Sequence, residues 1–161
     1  MFRPPSLIAW LLVATATALA GCPHGPGMTP QPPSDDVQLT REHLRTYNPG
    51  GTIRITVEID TAADLHISAL ALVEQAPPGW VFIGAEHIIG IIPAIRPQQG
   101  DEGTLTFVWI QPPRFPYTFS YTLGIPLSAS GPAMLTGRVE YRQGTGPAEF
   151  SETLVSTFQG P

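Results

Sequence analysis

Thr52-Ile53-Arg54-Ile55-Thr56-Val57-Glu58-Ile59 alternates without a miss, with β-branched aliphatic residues at odd positions and polar residues at even ones. Successive side chains of a strand point to opposite faces, so this run buries one face and wets the other. The same period recurs downstream. Leu105, Phe107 and Trp109 alternate with Thr104, Thr106 and Val108, and Tyr117, Phe119, Tyr121 and Leu123 with Thr118, Ser120 and Thr122. Leu135, Val139 and Tyr141 alternate with Thr136, Arg138, Glu140 and Arg142, and Gly137 interrupts the inward row as an expected bulge. Turn signals separate the runs: Asn48-Pro49-Gly50-Gly51, Pro77-Pro78-Gly79, Gly100-Asp101-Glu102-Gly103 and Gly144-Thr145-Gly146-Pro147. Strands are expected near 38–46, 52–60, 66–75, 80–85, 104–110, 116–125, 134–142 and 149–158. Residues 65–73 are apolar on both parities, which suits a central strand or a buried helix; their length and the Pro77-Pro78-Gly79 stop favour the strand. Phe150, Leu154, Val155 and Phe158 also fit a helical spacing, but Thr153, Val155 and Thr157 favour a strand. The expected fold is all-β, an antiparallel sandwich of seven to eight strands.

Composition agrees. The chain has 161 residues with 16 Gly, 19 Pro and only 13% charged side chains, against about a quarter in ordinary domains. That balance excludes a coiled coil or helical bundle and leaves room for one domain with a tail. A net charge of −5 argues against nucleic acid, which needs clustered cations to neutralise phosphates. One cysteine excludes an internal disulfide and a thiolate zinc site.

The amino end reads as an address. Arg3 precedes an uncharged run from Leu7 to Ala20, whose 14 residues would span about 21 Å as a helix. That is short of a roughly 30 Å hydrocarbon core, so residues 1–21 read as an export signal. Leu19-Ala20-Gly21-Cys22 resembles the bacterial lipobox. The resemblance implies cleavage between Gly21 and Cys22, acylation of Cys22 and anchoring to the cell envelope through lipid. With Pro23 rather than Asp after the cysteine, it leans towards the outer membrane or cell surface. Two or three acyl chains anchor stably where one does not. Residues 23–36, with five Pro and two Gly, cannot bury enough surface to order themselves and read as a tether. The folded domain is then expected over 37–161.

Tyr47-Asn48-Pro49-Gly50-Gly51-Thr52-Ile53 resembles the opening of immunoglobulin-like repeat modules of bacterial surface proteins, whose text is a Tyr-x-Pro-Gly-Gly turn, a strand and an "ETLPxGW" stretch. Val73-Glu74-Gln75-Ala76-Pro77-Pro78-Gly79-Trp80 is similar to the latter, with Ala76 where Leu is usual. Cohesin-type modules also open with a Pro-Gly turn. The resemblance implies an immunoglobulin-like sandwich and a binding or spacer role; it does not imply an activity.

No catalytic or cofactor constellation is legible. His24, His43, His66 and His87 make no metal-ligand spacing. Asp60, Asp64, Asp101 and Glu102 are hard oxygen ligands near loops, the calcium type, but six or more are needed and acids at turns are ordinarily solvated or capping. Two stretches carry a binding hypothesis. His87 to Pro97 packs Ile88, Ile89, Ile91, Ile92 and Ile95 into one connection, which either covers the core or offers a patch to a partner. Trp109 to Tyr117 gathers Trp109, Arg114 and Phe115 among three prolines, suited to peptide or sugar recognition unless its rings point inward. The expected function is a non-enzymatic, lipid-anchored β-sandwich that acts as a binding or structural module at the envelope or surface and presents its loops to a protein or glycan. The alternatives are an accessory subunit docking through the isoleucine-rich loop, and a hydrolase assembled from scattered loops.

Overall fold

The computed structural model describes residues 32–86 and 90–161. Their strands are β1 (Val37–His43), β2 (Thr52–Thr61), β3 (Ile67–Gln75), β4 (Val81–Glu86), β5 (Thr104–Trp109), β6 (Tyr117–Gly124), β7 (Pro132–Gln143), β8 (Ala148–Phe150) and β9 (Leu154–Gln159). They form two antiparallel sheets, one ordered β1-β2-β6-β4 and the other β5-β3-β7-β8, with β9 also on β7. The chain is an all-β sandwich, and each run of alternating residues became a strand. Residues 65–73 lie largely in β3, between β5 and β7, so both parities are covered by neighbours or half-buried.

Three expectations need correction. The last strand is two, which brings the described strands to nine. Ser151 breaks it: its N–H donates to Val139 O at 2.9 Å, while its Oγ accepts from Val139 N–H at 2.9 Å. A hydroxyl thus replaces one ladder partner, and the pairing resumes one residue out of step, from Phe150↔Glu140 to Leu154↔Gly137. Gly137 itself is in regular register with Glu74 and Leu154, so the extra residue sits on the facing strand and not at the glycine. The first strand stops at His43 because the chain then changes sheets. Gln159 N–H donates to Arg45 O at 2.8 Å, and Tyr47 N–H to Gln159 O at 3.1 Å. Ser34 N–H donates to Phe150 O at 2.8 Å and Ala62 N–H to Asp36 O at 2.8 Å, so residues 34–36 are fastened to both sheets.

The inward rows make the core. Ile55, Val57, Ile59, Phe119, Tyr121 and Leu123 of one sheet are buried against Leu70, Leu72, Leu105, Phe107, Trp109 and Val139 of the other. Phe107 lies 5.1 Å from Phe119 and 5.5 Å from Tyr121 between ring centroids. Such contacts contribute about 0.5–1.5 kcal/mol each beyond area burial. At one end of the sandwich the two Pro-Gly segments form the same turn. Gly51 N–H donates to Asn48 O and Trp80 N–H to Pro77 O, each at 3.0 Å. Gly50 and Gly79 take φ of 74° and 75°, the left-handed value a type II turn demands at its third position.

One charged contact crosses this apolar interior. Arg41 of β1 and Glu74 of β3 both lie on inward rows, with side chains 1% and 0% exposed. The guanidinium donates to Glu74 through Nε at 3.1 Å and Nη2 at 2.5 Å. Its Nη1 reaches Leu135 O at 3.3 Å, Leu154 O at 3.4 Å and Ser156 Oγ at 3.1 Å. Gly137 makes the space, since a Cβ there would run into Glu74 Oε2 and Arg41 Nη2. The Tyr121 hydroxyl, fully buried nearby, is left without a hydrogen-bond partner among the described residues. Burial raises the Glu74 pKa from 4.5 to about 7, outweighing the opposite pull of the Arg41 charge and its hydrogen bonds.

Two outcomes are expected. Arg41→Ala strands a buried carboxylate and lowers unfolding free energy by about 3–5 kcal/mol in urea titrations. Folding raises the Glu74 pKa, so the folded state holds a proton that the unfolded chain releases between pH 4.5 and 7. That contribution to stability is complete below pH 4.5 and is lost as the pH rises through 7. Urea midpoints across this window, compared with those of Glu74→Gln, check it; the difference between the two proteins should change with pH.

Candidate functional site

The β4–β5 connection and the β5–β6 connection meet at the end of the sandwich opposite the two Pro-Gly turns. Trp109, the last residue of β5, and Tyr117, the first of β6, both face inward and pack edge to face at 5.5 Å. Each keeps one polar group to satisfy. Trp109 Nε1 donates to Ile91 O at 3.1 Å and the Tyr117 hydroxyl to the same oxygen at 2.9 Å. Both lone pairs of that carbonyl are thereby used, and residues 90–91 are pinned over the core. Burial raises the Tyr117 pKa, so the hydroxyl remains the donor. Beyond this point Ala94 N–H donates to Val108 O at 2.7 Å and Val108 N–H to Ile95 O at 2.8 Å, which lays the connection along the edge of β5.

The result is a groove of about 540 Å³. Gly90 and Ile91 of the β4–β5 connection line it, with Pro113, Arg114 and Pro116 of the β5–β6 connection and Tyr117 and Thr118 at the start of β6. Its exposed lining is mostly apolar, with Ile91, Pro113 and Pro116 among seven residues and the exposed Arg114 guanidinium as its one charge. Thr118 Oγ1 donates to Glu58 Oε2 at 3.2 Å. A concave apolar surface with one polar anchor is the usual form of a binding site.

The two stretches singled out in the sequence are thus brought together, but not all of their residues serve the groove. Ile91 and Arg114 line it. Trp109 is fully buried, so its ring offers no face to a ligand; it acts by holding Ile91. Phe115 is half-buried against the core, and Ile92, 58% exposed, points to solvent. Ile88 and Ile89 lie outside the described residues, as do Gly21 and Cys22. A second apolar surface went unread in the sequence. The outward row of β3 (Ala69, Ala71 and Val73) and Val108 are half-buried, flanked by Ile95 at 59% and Ile110 at 73% exposure. Its signal was already present in the apolar residues on both parities of residues 65–73.

The described residues contain no group of three or more His, Cys, Asp and Glu able to hold a metal ion. Two of the four acids considered for calcium cap their own backbone: Asp60 Oδ1 accepts from Thr61 N–H and Asp101 Oδ2 from Gln98 N–H, both at 2.8 Å. His43 packs its ring on Phe158 at 4.5 Å and bonds Leu44 O through Nδ1 at 2.8 Å.

No protein-family profile and no curated protein matches the chain. Solved structures do. The sixth cohesin of scaffoldin B from Acetivibrio cellulolyticus, determined in complex with a Cel5 dockerin, superposes with a TM-score of 0.52 at 11% identity, covering 76% of this chain and 99% of that one. A cohesin module from a family 33 glycoside hydrolase of Clostridium perfringens gives 0.51 at 10% identity over 77% of this chain and 96% of that one. A collagen-binding domain from a Staphylococcus aureus adhesin matches at a TM-score of 0.45 and 9% identity, over 80% of this chain and 99% of that one. At these identities the likeness is one of fold.

Proposed function

We propose that this chain is an exported, lipid-anchored, non-enzymatic module that binds a protein partner at the cell envelope. The observation that carries the reading is the groove between the β4–β5 and β5–β6 connections, an apolar concavity pinned at Ile91 and carrying a single cation. The titratable groups with raised pKa values do not supply a rival site. Glu74 and Tyr121 are sealed in the core, Tyr117 is spent on Ile91, and the Tyr141 hydroxyl donates to Glu149. Cohesin modules of the same fold support it, one of them having been solved with a dockerin bound. A glycan is the poorer fit, because Trp109 and Tyr117 present no open ring face. Anchoring rests on the lipobox-like Leu19-Ala20-Gly21-Cys22 and its short apolar run.

A second reading, an accessory subunit of an envelope enzyme or transporter, draws on the exposed isoleucines 92, 95 and 110. In-cell photo-crosslinking separates the two. A benzophenone side chain at Thr118 should yield one discrete adduct, whereas one at Leu127, exposed at the other end, should yield none. Adducts from Ile110 alone would support the accessory subunit and overturn the groove. Anchoring is tested apart from binding: Cys22→Ser should leave the chain unprocessed or shift it from the membrane to the soluble fraction. Unchanged membrane retention of the mature form would refute lipidation.

A further inference from the structure

We infer that the groove receives an extended peptide segment in which an aliphatic side chain is followed by a carboxylate. This inference rests on the binding reading above and adds the chemistry of the partner. Three observations lead to it. Arg114, like Arg45, Arg96 and Arg142, has no carboxylate within 4 Å among the described residues, and of these four it alone lines the groove. An exposed guanidinium lining an apolar groove complements an anion. The lining at Ile91, Pro113 and Pro116 suits an aliphatic side chain and gives it nothing to hydrogen-bond, the Ile91 carbonyl being already saturated. Residues 110–116 make no backbone hydrogen bond among the described residues, and between Pro113 and Pro116 the N–H groups of Arg114 and Phe115 are without a partner there. A peptide answers both needs of such a stretch with its own N–H and C=O groups, which a fatty acid or a simple anion does not.

Glu58 sets the direction. Held by Thr118, it repels a second carboxylate on that side, so the acid of the segment lies at Arg114 and the aliphatic group against Ile91, Pro113 and Pro116.

The test is a titration of the full chain, isotope-labelled and in detergent, with the blocked peptide Ser-Ile-Val-Ile-Glu and its variant ending in Lys. The acidic peptide should shift the amides of Ile91, Arg114 and Thr118, and the Lys peptide should bind about tenfold more weakly. Arg114→Glu, an exposed position that leaves the fold intact, should invert that order. Equal binding of both peptides, or an order unmoved by Arg114→Glu, overturns the assignment of the acid to Arg114. No shift with either peptide, together with a discrete adduct from Thr118 in cells, overturns the partner chemistry and leaves the binding reading standing. No shift and no adduct sinks both.

Discussion

The guanidinium of Arg41 forms the one buried ion pair among the described residues, and it joins the two sheets of this sandwich. Apolar side chains interdigitating between two sheets resist separation, yet they hold relative position only by shape. Arg41 adds fixed distances: from β1 it reaches Glu74 on β3, Leu135 on β7, and Leu154 and Ser156 on β9. Several local choices make sense only around it. Gly137 has no side chain because the ion pair occupies the place of its Cβ. The step out of register at Ser151 returns β9 to the ladder where the Leu154 carbonyl and the Ser156 hydroxyl meet Nη1. Ser156, a small polar residue buried in an apolar environment, is there as an acceptor.

How much of this was legible beforehand follows from the range of each signal. Alternation is a property of a single strand, so the inward rows of β2, β5, β6 and β7 could be read directly, including the burial of Trp109. Turn chemistry is equally local, and Asn48-Pro49-Gly50-Gly51 and Pro77-Pro78-Gly79 stop and start strands where they should. The ion pair is not local. Arg41 continues the inward row of Val37 and Leu39, and Glu74 that of Leu70 and Leu72. Seen in one strand, each is a charge on the wrong face; only two such strands taken together cancel the anomaly. The split at Ser151 was hidden for a similar reason, since a hydroxyl that replaces a ladder partner looks like any other serine.

The candidate site divides the same way. Its composition was visible in two loops far apart in sequence, but their convergence depends on strand direction. β4 and β5 both finish, and β6 starts, at the same end of the sandwich, so the first part of the β4–β5 connection and the β5–β6 connection lie together there. There Trp109 and Tyr117 converge on a single carbonyl. A residue chosen for its flat ring turned out to work through its indole N–H, a role that parity allowed and composition could not reveal.

The way the chain treats its sheet margins has a consequence for behaviour at high concentration. A sandwich of twisted sheets ends in strands with unused hydrogen-bonding groups, templates on which further copies can polymerise. Here, β1 apart, short passing segments occupy much of them. Ala94 and Ile95 pair with Val108 of β5, Gly100 and Asp101 with Phe82 of β4, and Arg45 and Tyr47 with Gln159 of β9. Each cover is a stretch of one to three residues inside a connection that the topology requires anyway. The result is a protein rich in β-structure with few naked margins, protected against edge-to-edge growth by the routing of its loops rather than by charge, which suits a sequence with so few ionised side chains.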